Sequence, residues 1–146
     1  FPPRFLVRLE FAGVRRILDP FDNGRVMEPC DLREIYTAVS GPHVEIQPRH
    51  TEPASNRAIL LRSRRNAKVL HLRSENLEAA LAEVETLLML APGELALWRE
   101  AGILNARLDR VKEAVAALEQ YLAIAGADAA RYRTSILLQE LRARLN

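Results

Sequence analysis

The sequence predicts a mostly α-helical fold of stacked helical hairpins, preceded by a small N-terminal β-hairpin. Three observations carry this. Composition changes near residue 50, where proline-rich, turn-rich sequence gives way to a stretch dominated by the helix formers Ala, Leu, Arg and Glu. The second half matches itself at an offset of 34 residues. The first half holds two short apolar runs separated by Ala12-Gly13, a hairpin signal.

The hairpin comes first in the chain. Phe5 to Glu10 and Val14 to Leu18 read as its strands, and Asp19-Pro20-Phe21-Asp22-Asn23-Gly24 ends the second in a turn. Asp31 is expected to cap a short helix reaching about Val39, and residues 40–53 read as an irregular linker. Pro2, Pro3, Pro20, Pro29 and Pro42 lie in this part, with Pro48 at its border; after Pro53 the sole proline is Pro92. A two-stranded hairpin is not stable alone, so it must pack on the repeats or on strands missing upstream.

The repeat register is broad. At the 34-residue offset Ala67 falls on Ala101, Leu70 on Leu104, Ala80 on Ala114, Leu88 on Leu122 and Pro92 on Gly126. Trp98 falls on Tyr132, which opens a third unit consisting of its first helix alone. Each unit reads as two helices. The first pair runs roughly 55–73 and 76–90, with Asn76 as N-cap, and the second roughly 94–107 and 110–125, turning at Asp109. A last helix, roughly 128–145, takes Asp128 as its cap. One hairpin cannot bury its apolar face, so hairpins stack and the final helix covers the end. Ala67, Ala80, Ala101, Gly102 and Ala114 are small enough for the close helix contacts this needs.

The string Trp98-x2-Ala101-Gly102, followed by Ala114, Leu118 and the helix stop at Gly126, resembles the tetratricopeptide consensus. The earlier copy keeps Ala67, Ala80 and Pro92 but has Arg64 in the bulky aromatic position and Lys68 in the Gly position. The resemblance covers about 90 residues within 53–146, with units about 58–92 and 95–126 and a capping helix 128–145. It implies a binding scaffold rather than a catalyst.

A second resemblance lies in residues 1–50. Pro3-Arg4-Phe5-Leu6-Val7-Arg8, then Ile17-Leu18-Asp19-Pro20-Phe21-Asp22-Asn23-Gly24, looks like the end of a transglutaminase-like α+β domain. Together with Arg62, Asn66 and Lys68 it is similar to a bacterial family, named after an invasion regulator, that joins such a domain to C-terminal tetratricopeptide repeats. The chain resembles only the C-terminal part of that family, and it opens with Phe1 rather than Met, as a piece of something longer would.

The resemblance implies a particular chemistry. A Cys thiolate attacks an acyl group, a His on a strand serves as base, and an Asp on the next strand orients it. It places the Asp at Asp19 and the His at Arg4, with the nucleophile upstream of Phe1. Arginine stays protonated and offers no lone pair, so it cannot act as the base. The chain therefore reads as catalytically silent, and the alternative is a thiol-dependent acyl transferase or peptidase whose nucleophile lies upstream. Asp19 is either a vestigial triad member or the opening of an Asp-Pro turn.

Other reactive groups are weak candidates. Cys30 follows Pro29 in a loop, has no nearby base and reads as a packing residue. His43 and His50 read as solvated linker residues, and His71 as a core or boundary residue between helices. No metal spacing and no glycine-rich phosphate loop occurs, so neither metal nor cofactor is expected. One cysteine excludes an internal disulfide framework, and no apolar run approaches the roughly 18 residues of a membrane span. With no export signal visible, a reduced cytoplasmic setting is expected.

The strongest interaction signal is electrostatic. Residues 57–73 contain Arg57, Arg62, Arg64, Arg65, Lys68 and Arg73 and no acid, although the whole chain carries only +2. At helical spacing Arg62, Arg65, Asn66, Val69 and Arg73 share one face; the next unit repeats it with Arg99, Ile103 and Arg107, and the last helix adds Arg133. Such a column suits a peptide or protein partner bearing carboxylates. It also suits a solvated face, partly neutralised by Glu94, Glu100 and Glu140, or docking of the chain's own N-terminal domain. The carboxylate-clamp subset of these repeats needs Asn where Val69 stands and is excluded. Nucleic acid is disfavoured, because aromatics make up 5% of the chain and none lies between Arg57 and Arg73. Exposed edges left by an absent half-domain give a third expectation, homodimerisation.

Overall fold

The computed structural model describes residues 1, 4–126 and 129–145. It divides into two compact units, Phe1–Ala54 and Ser55–Asn146.

The first unit begins with three antiparallel strands in the order β1 (Val7–Phe11), β2 (Val14–Asp19) and β3 (Arg25–Met27). Ala12 and Gly13 both take positive φ (49° and 78°), the left-handed pair that a tight two-residue hairpin turn requires. The register follows from it, with Phe11 opposite Val14 and Val7 opposite Leu18. Asn23 and Gly24 (φ 48° and 74°) turn the chain a second time. The sequence reading missed β3, which at three residues is too short for alternation to show.

Helix α1 (Pro29–Ser40) also starts differently from the expectation. Its N-cap is Glu28, and Asp31 stands three residues further in, accepting the Glu28 backbone N–H at 2.8 Å to complete a capping box. Pro29 sits at the first helical position, where its missing N–H costs nothing. Cys30 is therefore in the first helical turn rather than in a loop, and it is exposed, not packed. The unit's small core holds Met27, Leu32 and Tyr36. Tyr36 meets the rings of Phe1 and His50, with centroids 5.9 and 4.9 Å away. His50 is thus docked, contrary to the solvated reading. It belongs to a 3-10 turn, Pro48–Thr51, within the otherwise irregular linker, and its Nδ1 accepts the Gln47 N–H at 3.2 Å. His43 is exposed.

The second unit is five helices: α2 (Asn56–Arg73), α3 (Leu77–Leu90), α4 (Leu95–Arg107), α5 (Val111–Ile124) and α6 (Ala129–Leu145). The Ser55 hydroxyl accepts the Ala58 N–H, and the Asn76 side chain accepts the Ala79 N–H, each at a helix start. Asp128, expected to cap α6, lies outside the described residues. The turns within the two hairpins are equivalent. Glu75 and Asp109, 34 residues apart, both adopt left-handed φ (56° and 60°).

The buried apolar residues form two clusters. Ala80, Leu81, Val84, Leu87, Leu97, Ala101 and Leu104 join α3 to α4, and Ala117 of α5 joins them. Ala114 and Leu118 of α5 close on Leu138 and Leu141 of α6. Gly102 supplies the close approach between α4 and α5, since a Cβ there would lie 2.3 Å from Leu118 Cδ2. Of the small residues expected at helix contacts, Ala67 is half-buried, and α2 contains no fully buried residue. His71, expected in the core or at its boundary, is half-buried.

Candidate functional site

In the first unit, the chain brings Arg4 and Asp19 together. Asp19 ends β2 and is 2% exposed. Its Oδ2 accepts a hydrogen bond from Arg4 Nη1 at 2.6 Å, and its Oδ1 accepts the Phe21 N–H at 2.9 Å. One oxygen thus holds the turn that follows β2, and the other holds a guanidinium. Chemically the pair is an ion pair with no proton acceptor of the imidazole kind, because arginine donates and cannot accept. Among the described residues no group of three His, Cys, Asp or Glu side chains could hold a metal ion.

In the second unit, α2, α4 and α6 are the first helices of successive hairpins, and side chains tie them to one another. Arg65 of α2 pairs with Glu94 at the start of α4. Lys68 pairs with Glu100 of α4 at 2.5 Å. Arg99 Nε of α4 donates to the Thr134 hydroxyl of α6 at 3.0 Å. The substitutions in the first repeat are accommodated by charge. Arg64, in the aromatic position, reaches Glu83 of α3 at 3.2 Å, and Lys68, in the glycine position, has a largely buried side chain with its ammonium on Glu100.

The 34-residue offset sorts the expected groove residues into rows. Arg65, Arg99 and Arg133 make one row and Arg73 and Arg107 another, with Val69 and Ile103 between them. Val69 is 41% exposed and Ile103 half-buried, so the stripe between the arginines is apolar and reachable. Arg73, Arg107 and Arg133 are exposed and make no ion pair or hydrogen bond among the described residues. Glu94 and Glu100 neutralise α2 as expected, whereas Glu140 is exposed and pairs with nothing described. Arg62 is half-buried and Asn66 exposed on the same helix.

Two further arginines act in ways that no sequence pattern signals. Arg57 Nε and Nη2 both donate to the Leu90 carbonyl, at 3.0 and 2.6 Å, capping the end of α3. Arg131 does the same for α5 through the carbonyls of Leu122 and Ala125. Of the six cations between Arg57 and Arg73, one is therefore a helix cap.

The fold defines a class: a tetratricopeptide array joined to a segment that matches a transglutaminase-like model. A tetratricopeptide repeat model matches residues 67–139, half of the chain, and the chain belongs to that family. A transglutaminase-like superfamily model matches residues 1–65, running past Ala54 into α2. The chain is similar to bacterial proteins named UPF0162. It is 36% identical over 92 residues to one from Pseudomonas aeruginosa, covering 63% of this chain and 33% of that protein. It is 29% identical over 105 residues to one from Xylella fastidiosa, covering 70% and 37%. The Vibrio cholerae protein is 30% identical over 103 residues, covering 70% and 38%. The chain thus spans about a third of the length of the curated relatives it matches. No solved structure matches it. No described helix is long and apolar enough to cross a membrane.

Proposed function

We propose that this chain is a non-catalytic protein-interaction module whose repeat unit holds an acidic peptide segment against the arginine rows of α2, α4 and α6. The observation that carries the reading is the repeated basic–apolar–basic pattern, with Arg73 and Arg107 left without partners among the described residues. Both stand in the last turn of their helices, where the carbonyl dipoles favour a cation and hold no carboxylate in exchange. A guanidinium so placed offers a two-point grip on an incoming carboxylate, and Val69 and Ile103 offer apolar contact between the grips.

Arg73→Glu with Arg107→Glu is the clean test, because reversing Arg65 or Arg99 would also break their bonds to Glu94 and Thr134. In an anisotropy titration with a labelled glutamate- and leucine-rich peptide, the double variant should bind at least about tenfold more weakly. Wild-type binding should also weaken as salt rises. Unchanged affinity, or equal binding of a lysine-rich peptide, rejects the assignment. If the acidic segment belongs to the chain's own first unit, residues 55–146 alone should bind the peptide more tightly than the full chain.

The transglutaminase-like match supports a second reading, thiol-dependent acyl transfer in a longer form of the protein. It requires an imidazole at Asp19, where this chain offers Arg4. A thiol in the longer form that alkylates rapidly well below the ordinary cysteine range would favour it; slow, ordinary alkylation would leave the interaction reading in place.

A further inference from the structure

Arg65, Val69 and Arg73 follow one another at four-residue steps along α2, and Arg99, Ile103 and Arg107 repeat them along α4. Four helical residues rise about 6 Å, so the two arginine rows stand about 12 Å apart with the apolar stripe midway between them. The stripe runs across the helices, and half-buried Leu137 of α6 continues it. Side chains tie the neighbours together, Lys68 to Glu100 at 2.5 Å and Arg99 to Thr134 at 3.0 Å. Axes tied in this way lie about one helix diameter apart, about 10–12 Å.

This geometry selects the conformation of what fills the stripe. In an extended segment the side chains alternate between two sides. Set with one side on the stripe, it meets Val69 and Ile103 but carries no carboxylate to either row. Turned on edge, it reaches both rows but lays its polar backbone on the apolar stripe, which is costly. An α-helix has no such conflict. With side chains it is about 10–12 Å across, the gap between the rows. Its surface can offer an apolar sector with a charged sector on each flank. Its same-face positions recur every two turns, about 10.5 Å, close to the step from one first helix of the array to the next.

We propose that the partner presents an amphipathic α-helix, laid across α2, α4 and α6 with branched apolar side chains on the stripe and carboxylates on both flanks; this rests on the reading of the arginine rows as an acidic-peptide groove. Arg65 spends Nη2 on Glu94 and Arg99 spends Nε on Thr134, which leaves each guanidinium further donors for an incoming carboxylate. The second row stops at Arg107, since the next position is buried Leu141 and the residue before it is exposed Glu140. The helix therefore needs carboxylates on both flanks over α2 and α4, and on one flank over α6.

Anisotropy titrations of the whole chain with three labelled peptides test this. In the first, leucines at heptad spacing in an alanine background are flanked on both sides by glutamates. The second has the same composition, with the glutamates moved to the face opposite the leucines. The third is the first with a central alanine replaced by proline. The first should bind tightest and gain helical far-UV signal on binding, and the other two should each bind about tenfold or more weakly. Arg73→Glu with Arg107→Glu should remove most of the advantage of the first peptide over the second. Equal binding of the first two peptides, or binding of the first without a gain in helical signal, overturns the helix. If all three bind equally and the double variant weakens all three, the acidic-peptide groove stands and the helix falls. If none binds, or the double variant binds each as the wild type does, both fall.

Discussion

Asp19 is the buried charged residue of the first unit, and its two oxygens do different work. Oδ1 fixes the turn into residues 21–24, and Oδ2 holds Arg4. A buried carboxylate deprived of its counter-ion is costly, because its desolvation is no longer offset. Arg4 is itself 38% exposed, which tempers the loss. Arg4→Ala should destabilise the first unit by about 2 kcal/mol in a denaturant titration. Asp19→Asn should cost less, about 1 kcal/mol, because the amide oxygen still accepts the Phe21 N–H and no charge is left behind. If Asp19→Asn proved the more damaging of the two, the ion pair would not be what Arg4 supplies. Cys30 shows the limit of a residue-by-residue reading. Its sequence neighbours gave no sign of exposure, because Pro29 before it marks a helix start as readily as a loop.

At the scale of elements, helix contacts are set by single small residues. Gly102 of α4 lies against Leu118 of α5, which is fully buried and has nowhere to go. Alanine would gain about 1 kcal/mol of helix propensity over glycine, but overpacking costs about 1–3 kcal/mol. Gly102→Ala is therefore expected to lower stability by up to about 2 kcal/mol. In a Leu118→Ala background the same change should become neutral or stabilising, since the clash partner is gone. Equal cost in both backgrounds would mean that Gly102 is needed for something other than this contact. The helices of the repeat unit were legible in the sequence to within a residue or two, because the 34-residue register, the N-cap Asn76 and the turn at Asp109 punctuate them. The strand β3 was not, since three residues carry no period.

Across the whole molecule, both apolar clusters of the repeat unit draw only on residues after Ser55. Stability in such arrays is a sum of hairpin and neighbour-interface terms, so the unit should fold without the residues before it. Residues 55–146 alone are expected to show far-UV helicity and a cooperative thermal transition; a fragment without a transition would mean that α2, with no fully buried residue, needs a further covering element. The electrostatic pattern belongs to this scale too. The basic run of residues 57–73 was plain in the sequence, but its division was not: Arg57 caps α3, Arg64, Arg65 and Lys68 are neutralised by Glu83, Glu94 and Glu100, and Arg73 keeps its charge free among the described residues.

The sequence by itself determined the helical-hairpin class, the repeat length, the hairpin at the N-terminus and the identity of the two notable clusters of residues. These are local or periodic properties, set by propensity, turn chemistry and a register that recurs along the chain. Only the tertiary structure decided that Arg4 reaches Asp19, that His50 docks on Tyr36, that Cys30 faces solvent and which arginines are already bonded. The ion pairs and the ring contact depend on groups apart in the chain meeting in space, and the exposure of Cys30 on no such group covering it; a one-dimensional pattern contains neither.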